Sequence, residues 1–156
     1  MKTEKGTLIK AIAIPLLVGV VAGLLSRNGM DVFEMVNKPL LSPPAFLFPI
    51  VWTILYILMG ISAYLILKSD ANLEGKTKAL KIYIYQLGVN FLWPIFFFNF
   101  KWYFFSFLWI LLLWVLIIVM IREFSRISKT AGYLLIPYLL WVTFATYLTF
   151  AIWMLN

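Results

Sequence analysis

The sequence predicts an all-α integral membrane protein: one bundle of five transmembrane helices over residues 1–156, N-terminus cytoplasmic and C-terminus outside. Three observations carry this. Hydrophobic residues make up 64% of the chain and charged residues 12%, with mean hydropathy +0.99, against roughly 45–50% and 25% in soluble domains. The few charges fall between long apolar runs, each near the roughly 20 residues a spanning helix needs. Finally, runs such as Trp109 to Met120 are continuously apolar, whereas barrel strands alternate apolar and polar.

The charges delimit each element. Lys10 and Arg27 bound the first run, giving a helix at 8–26; its bounding cations reach the interfaces on long side chains. Pro15 and Gly23 are tolerable in a membrane helix, and the absence of a clear small-residue cleavage site disfavours a signal peptide. A loop at 27–43 follows, holding Asp31, Glu34, Lys38-Pro39 and Ser42-Pro43-Pro44. Consecutive prolines stiffen it and suit a helix's first turn, so it reads as a rigid connector or as a lid. Lys38 and Lys68 bracket the second helix, 44–67. The third lies at 80–99 and the fourth at 103–121, on either side of Lys101. After Lys129 no charge remains, and the fifth helix takes 131–153.

Orientation follows from Lys and Arg. Ten of the thirteen fall in the N-terminal segment (Lys2, Lys5, Lys10), the second loop (Lys68, Lys76, Lys78, Lys81) and the fourth (Arg122, Arg126, Lys129). Those segments are placed in the cytoplasm. The net charge of +7 is therefore mainly a topology signal, scattered over short loops, and disfavours nucleic-acid binding. The chain has no Cys and no His, which removes disulfides, most zinc, haem and iron–sulfur ligation, and His- or Cys-based catalysis.

Polar and aromatic residues gather at one depth. At 1.5 Å rise per residue, Trp52, Asn90 and Trp141 all fall in the outer half of the membrane. An amide in hydrocarbon is costly unless hydrogen-bonded. Gln86 shares the Asn90 face four residues earlier, and Pro94, four later, frees the Asn90 carbonyl. Asn90 is thus either interhelical glue or a ligand contact. The last helix repeats the pattern with Pro137, Tyr138, Trp141 and Ala145. Gly19 with Gly23, and Gly60 with Ala63, read as close-approach surfaces between helices. No charged residue lies in the interior of a span, Lys10 and Lys81 standing at the ends of theirs, unlike proton-coupled pumps. What remains suits a flat, mostly apolar ligand.

At these residues the chain resembles the TspO/MBR family, the translocator proteins, tryptophan-rich sensory proteins and peripheral-type benzodiazepine receptors. The match runs in order over residues 33–154. It comprises Lys38-Pro39 with Pro43-Pro44, Val51-Trp52 through Tyr56 to Gly60, Gln86 through Asn90 to Trp93-Pro94 and Phe97, and Pro137-Tyr138 through Trp141 to Ala145. The resemblance implies a usually dimeric five-helix bundle of the bacterial cell membrane. Its pocket, under the first loop, would bind protoporphyrin-type tetrapyrroles and benzodiazepine-type drugs. Phe33, Lys38, Pro43, Pro44, Trp52, Tyr56, Gln86, Asn90, Trp93, Phe97, Tyr138, Trp141 and Ala145 would line it.

The reading is a porphyrin sensor or handler, with the tetrapyrrole as ligand, Lys38 or Arg27 near the mouth to meet its propionates, and no obligatory cofactor or metal. The alternatives are light-dependent porphyrin degradation, for which the resemblance implicates Trp52 and Trp141, and transport of apolar molecules. Departures from the family pattern are Val32-Phe33 for a Trp-Tyr pair, Leu41 for an aromatic, and Phe150 and Met154 in the animal sterol motif.

Overall fold

The computed structural model describes the backbone of residues 2–156 and all their side chains except those of 2, 3, 28 and 30–34. The Phe33 side chain, expected at the site, falls outside the described residues. The regular elements among the described residues are all helical, in the order α1 (Lys2–Met35), α2 (Leu47–Leu67), α3 (Leu73–Pro94), a π turn (Ile95–Asn99), α4 (Tyr103–Ile127), α5 (Lys129–Leu134) and α6 (Ile136–Leu155). Four stretches are long and apolar enough to cross a membrane: Glu4–Arg27, Leu47–Leu67, Tyr103–Ile127 and Lys129–Leu155. The remaining long helix, α3, is more polar because it carries three lysines, Gln86 and Asn90.

The first helix departs most from the sequence expectation. It does not stop at residue 26 but runs to Met35, so the connector before α2 shrinks from 27–43 to 36–46. The cause is tertiary. Gly29 lies so close to Phe98 that a Cβ there would meet that residue's backbone, and Asn99 Nδ2 donates to the Leu25 carbonyl (2.8 Å). The π turn after α3 thus holds the last two turns of α1 in helical form, as packing commonly does where local signals are weak. The shortened connector holds a turn closed by Ser42 N–H on the Pro39 carbonyl (3.2 Å). Asn37 and Asn156 clasp it to the end of α6: Asn156 Nδ2 donates to the Asn37 carbonyl (2.9 Å), and Asn37 N–H donates to Asn156 Oδ1 (3.3 Å).

The other ends follow local chemistry. Asn72 caps α3 through Gly75 N–H (2.8 Å), which starts the helix at Leu73, ahead of the apolar run at 80. Helix α4 continues past the apolar stretch to Ile127, where Glu123 pairs with Arg126 (3.5 Å) and Lys78 (3.6 Å). The last span is broken in two at Leu135, because Pro137 lacks the N–H that would bond the Tyr133 carbonyl. Ser128 caps α5 through Ala131 N–H (3.2 Å).

Within a bilayer, helices associate by close packing and interhelical hydrogen bonds. Helix α1 packs on α2 and α3, α3 on α4, and α4 on α5 and α6. Gly60 lets α2 meet the α1 backbone at Ala11 and Ile12, and Gly132 lets α5 meet Ser125 of α4. Ser62 Oγ donates to the Ala131 carbonyl (2.8 Å). Met59, Ile66, Ile117, Met120, Phe124 and Leu135 are fully buried between them. Outward faces carry Leu17, Val21, Leu25, Leu112 and Val119, all exposed, as lipid-facing side chains should be.

Candidate functional site

Three helices meet through a chain of polar side chains. Tyr56 Oη on α2 donates to Asn90 Oδ1 on α3 (2.7 Å). Asn90 Nδ2 donates to Tyr138 Oη on α6 (2.7 Å), and Tyr138 Oη donates to Gln86 Oε1 (2.7 Å). Gln86 Nε2 ends the chain against Met59 Sδ (3.8 Å), a weak acceptor. All five residues are buried. The sequence left Asn90 as glue or ligand contact. The structure gives it three-helix glue, and also places it in the wall of a cavity. Its amide has a second N–H beyond the one given to Tyr138.

That cavity, about 420 Å³, lies between α1, α2 and α3. Its size falls in the roughly 300–1,000 Å³ range of small-molecule pockets. Trp52, Tyr56, Asn90 and Trp93 line it as expected; Phe48, Phe98 and the α1 residues Gly19, Gly23 and Arg27 line it too. Trp52 stacks on Tyr56 (centroids 5.5 Å apart) and meets Tyr138 edge-on (6.2 Å). Trp93 stacks on Phe97 (5.1 Å). The α2 and α3 sides of the wall are therefore rich in aromatic rings, with polar side chains at Thr53, Tyr56, Asn90 and, at the α1 end, Ser26 and Arg27.

Trp141 stands elsewhere. With Phe97 and Ala145 it lines a void of about 10 Å³ behind Trp52 and Trp93, too small for a ligand in this arrangement. Phe48 packs edge-on against it (5.9 Å). Trp52 and Trp141 thus share the void's wall, while only Trp52 reaches the cavity. The indole N–H groups of Trp93 and Trp141 are buried without an acceptor, and a buried unpaired donor is unfavourable. Trp141 also lines an outer groove between α2 and α6 with Pro43 and Pro137.

The remaining expected residues scatter. Gln86 and Tyr138 belong to the buried relay, below the cavity wall. Lys38 and Pro44 are exposed on the connector, and neither is among the residues lining the cavity. Sequence reasoning placed Arg27 near the mouth but missed the rest of the α1 wall and Phe48. Spacing held the signal: Phe48 precedes Trp52 by four residues, and Gly19, Gly23 and Arg27 recur every four, one helix face in each case. Gly23 was read as a packing residue alongside Gly19. Gly19 does pack, since a Cβ there would collide with the Tyr56 ring, but a Cβ at Gly23 would meet nothing within 4 Å.

Among the described residues no cluster of His, Cys, Asp or Glu could hold a metal ion. The architecture defines a class: a multi-pass helical membrane protein with an aromatic-walled interior cavity. Comparison with known proteins places it further. The chain belongs to the TspO/MBR family, which matches residues 11–154. It is 40% identical over 119 residues to the tryptophan-rich protein TspO of Chlorobaculum tepidum, covering 76% of this chain and 75% of that one. It is 36% identical over 124 residues to the tryptophan-rich sensory protein of Cereibacter sphaeroides, covering 80% and 76%. A tryptophan-rich protein TspO of Archaeoglobus fulgidus is 35% identical over 150 residues, 96% of each chain.

Proposed function

We propose that this protein binds protoporphyrin-type tetrapyrroles within the membrane and acts as their sensor or handler, and that benzodiazepine-type ligands use the same cavity. The observation that carries the reading is the cavity of about 420 Å³ with the Trp52 and Trp93 indoles on its wall, Asn90 and Tyr56 as its polar edge, and Arg27 at its end. Flat aromatic walls suit a macrocycle's face, and a guanidinium suits a propionate. A membrane sensory or translocator role agrees with the names of the relatives. In this reading α3 is a fifth span, the lysine-rich loops face the cytoplasm, and the protein works as a homodimer.

A second reading is light-dependent breakdown of the bound porphyrin. Trp52 and Trp141 sharing one void supports it, because excitation of a porphyrin against Trp52 would place a second indole directly behind the first. The test is titration of detergent-solubilised protein with protoporphyrin in the dark, followed by tryptophan quenching, and then illumination. Saturable quenching establishes binding, and repeated turnover to a defined product establishes the enzyme. Linear, unsaturable quenching would reject both.

A further inference from the structure

The cavity's wall is also, in part, the protein's outer surface. Val20 and Leu24 of α1 line the cavity and are 56% and 58% exposed. Gly23 of α1 and Pro49 and Thr53 of α2 line it and are exposed as well. Residues that line a cavity and face outward form a mouth. This mouth is a slot between α1 and α2, within the apolar stretch Glu4–Arg27, so it faces hydrocarbon.

The two helices close the slot from below. They touch at Gly60, against Ala11 and Ile12, and again at Gly19, against the Tyr56 ring. One turn further, at Gly23, the contact has gone: a Cβ there meets nothing within 4 Å. The hydroxyls beside the slot are spent on their own helices, Thr53 Oγ1 on the Pro49 carbonyl and Ser26 Oγ on the Ala22 carbonyl (both 2.7 Å). The slot therefore shows lipid tails no unmet hydroxyl donor, which is what an opening within hydrocarbon requires. Arg27 lies four residues beyond Gly23, on the same face and at the polar end of the span.

We propose that the cavity loads sideways, from the bilayer, through this α1–α2 slot, and that it selects membrane-dissolved amphiphiles with an apolar body and an acid group that Arg27 receives. Such a molecule already lies in the leaflet with its body among the tails and its carboxylate at headgroup depth. Arg27 meets the acid at that depth, so the molecule moves laterally and neither flips nor crosses water. The proposal rests on the binding reading above, including its pairing of Arg27 with an acid, and adds the route.

The experiment uses full-length protein in vesicles, with protoporphyrin supplied from donor vesicles and tryptophan quenching followed by stopped flow. Gly23→Leu and Gly23→Trp fill the slot where the backbone has open space. Both should slow uptake and release by about tenfold; because Gly23 and Val20 also line the cavity, slowed release is the mark of a plugged route, since lost wall contacts alone would speed release. Val20→Trp is the second plug should Gly23 variants fold poorly. Since the chain has no Cys, Asn37→Cys/Asn156→Cys makes a clean lock across the connector; oxidising it should leave both rates unchanged.

The reverse pattern, in which the lock slows exchange and the Gly23 and Val20 plugs do not, would overturn the route in favour of loading under the connector. For the acid group, the parent should bind protoporphyrin about tenfold more tightly than its dimethyl ester, and Arg27→Gln should abolish that preference. A preference that persists in Arg27→Gln overturns the assignment of Arg27. Parent protein with no saturable binding at all rejects the tetrapyrrole reading itself, and this route with it; saturable binding with unaltered rates rejects the route alone.

Discussion

The ring of Tyr56 lies against Gly19, and this contact sets the position from which its hydroxyl reaches Asn90 at 2.7 Å. The relay that ties α2, α3 and α6 together therefore depends on the missing side chain of a residue on α1. In an isolated helix Gly19→Ala would stabilise by about 0.5–1 kcal/mol. Here the added methyl would collide with the ring, displace the hydroxyl and leave Asn90 Oδ1 short of a donor. The expected net effect is destabilisation of about 1–3 kcal/mol, read as a lower thermal midpoint in detergent. Gly23→Ala, in open space, should show the opposite sign. A raised midpoint for Gly19→Ala would show that Tyr56 has room the structure does not give it.

Asn90 and Tyr56 should behave as a pair. Asn90→Leu orphans the Tyr56 hydroxyl and takes one donor from Tyr138, while Tyr138 keeps Gln86 as its acceptor. The loss should be about 1–3 kcal/mol. With Tyr56→Phe already in place, the Asn90→Leu cost should shrink, because fewer partners remain to be stranded. Thermal unfolding of the four-member cycle measures this. Strict additivity would mean that the 2.7 Å contact contributes nothing.

The sequence carried the spans and the polar anomaly because both are local. Charges bracket apolar runs, and an amide amid Phe and Leu stands out without knowledge of its neighbours. Three features are not local, and each was missed or misread. The extension of α1 through Gly29 depends on Phe98 of another element. The π turn at Ile95–Asn99 follows directly on Pro94, but proline says only that the helix is disturbed, not how the ladder is repaired. The cavity's α1 wall looked like packing because Gly19 and Gly23 are indistinguishable in sequence, and only the position of α2 separates them. Trp52 and Trp141 were likewise assigned together by depth along their helices. Depth does not say which indole reaches the cavity and which reaches only the void behind it.

That distinction can be measured. Trp52→Phe removes indole area from the cavity wall and should weaken protoporphyrin binding about tenfold, near the 1.4 kcal/mol that separates a modest aromatic contact from none. Trp141→Phe, behind the wall, should weaken it less than about threefold in the dark. Trp114→Phe, whose indole bonds Thr143 on the outer α4–α6 face (2.8 Å), should leave binding unchanged. Equal losses from Trp52→Phe and Trp141→Phe would mean that the void behind Trp52 opens to admit the ligand, and that the bound arrangement differs from this one.

The turn from the π segment into α4 holds a backbone conformation at odds with its residue. Lys101 has φ 57°, in the left-handed region that costs a side-chain-bearing residue about 1–2 kcal/mol. The geometry is fixed from both sides: Phe100 N–H bonds the Ile95 carbonyl (3.1 Å), and Trp102 N–H reaches back to that of Phe96 (3.0 Å). Trp102 then stacks on Phe96 (5.9 Å), so relaxing Lys101 would cost both a hydrogen bond and an aromatic contact. Lys101→Gly should remove the strain, offset in part by the greater freedom of glycine in the unfolded chain. The net expectation is stabilisation of about 0.5–1 kcal/mol with ligand affinity unaltered. Lys101→Val, branched at Cβ, should destabilise by at least as much. Thermal midpoints in one detergent order the three proteins, Gly above Lys above Val. Any order with Val at or above Lys would show that the turn does not hold the left-handed conformation in solution.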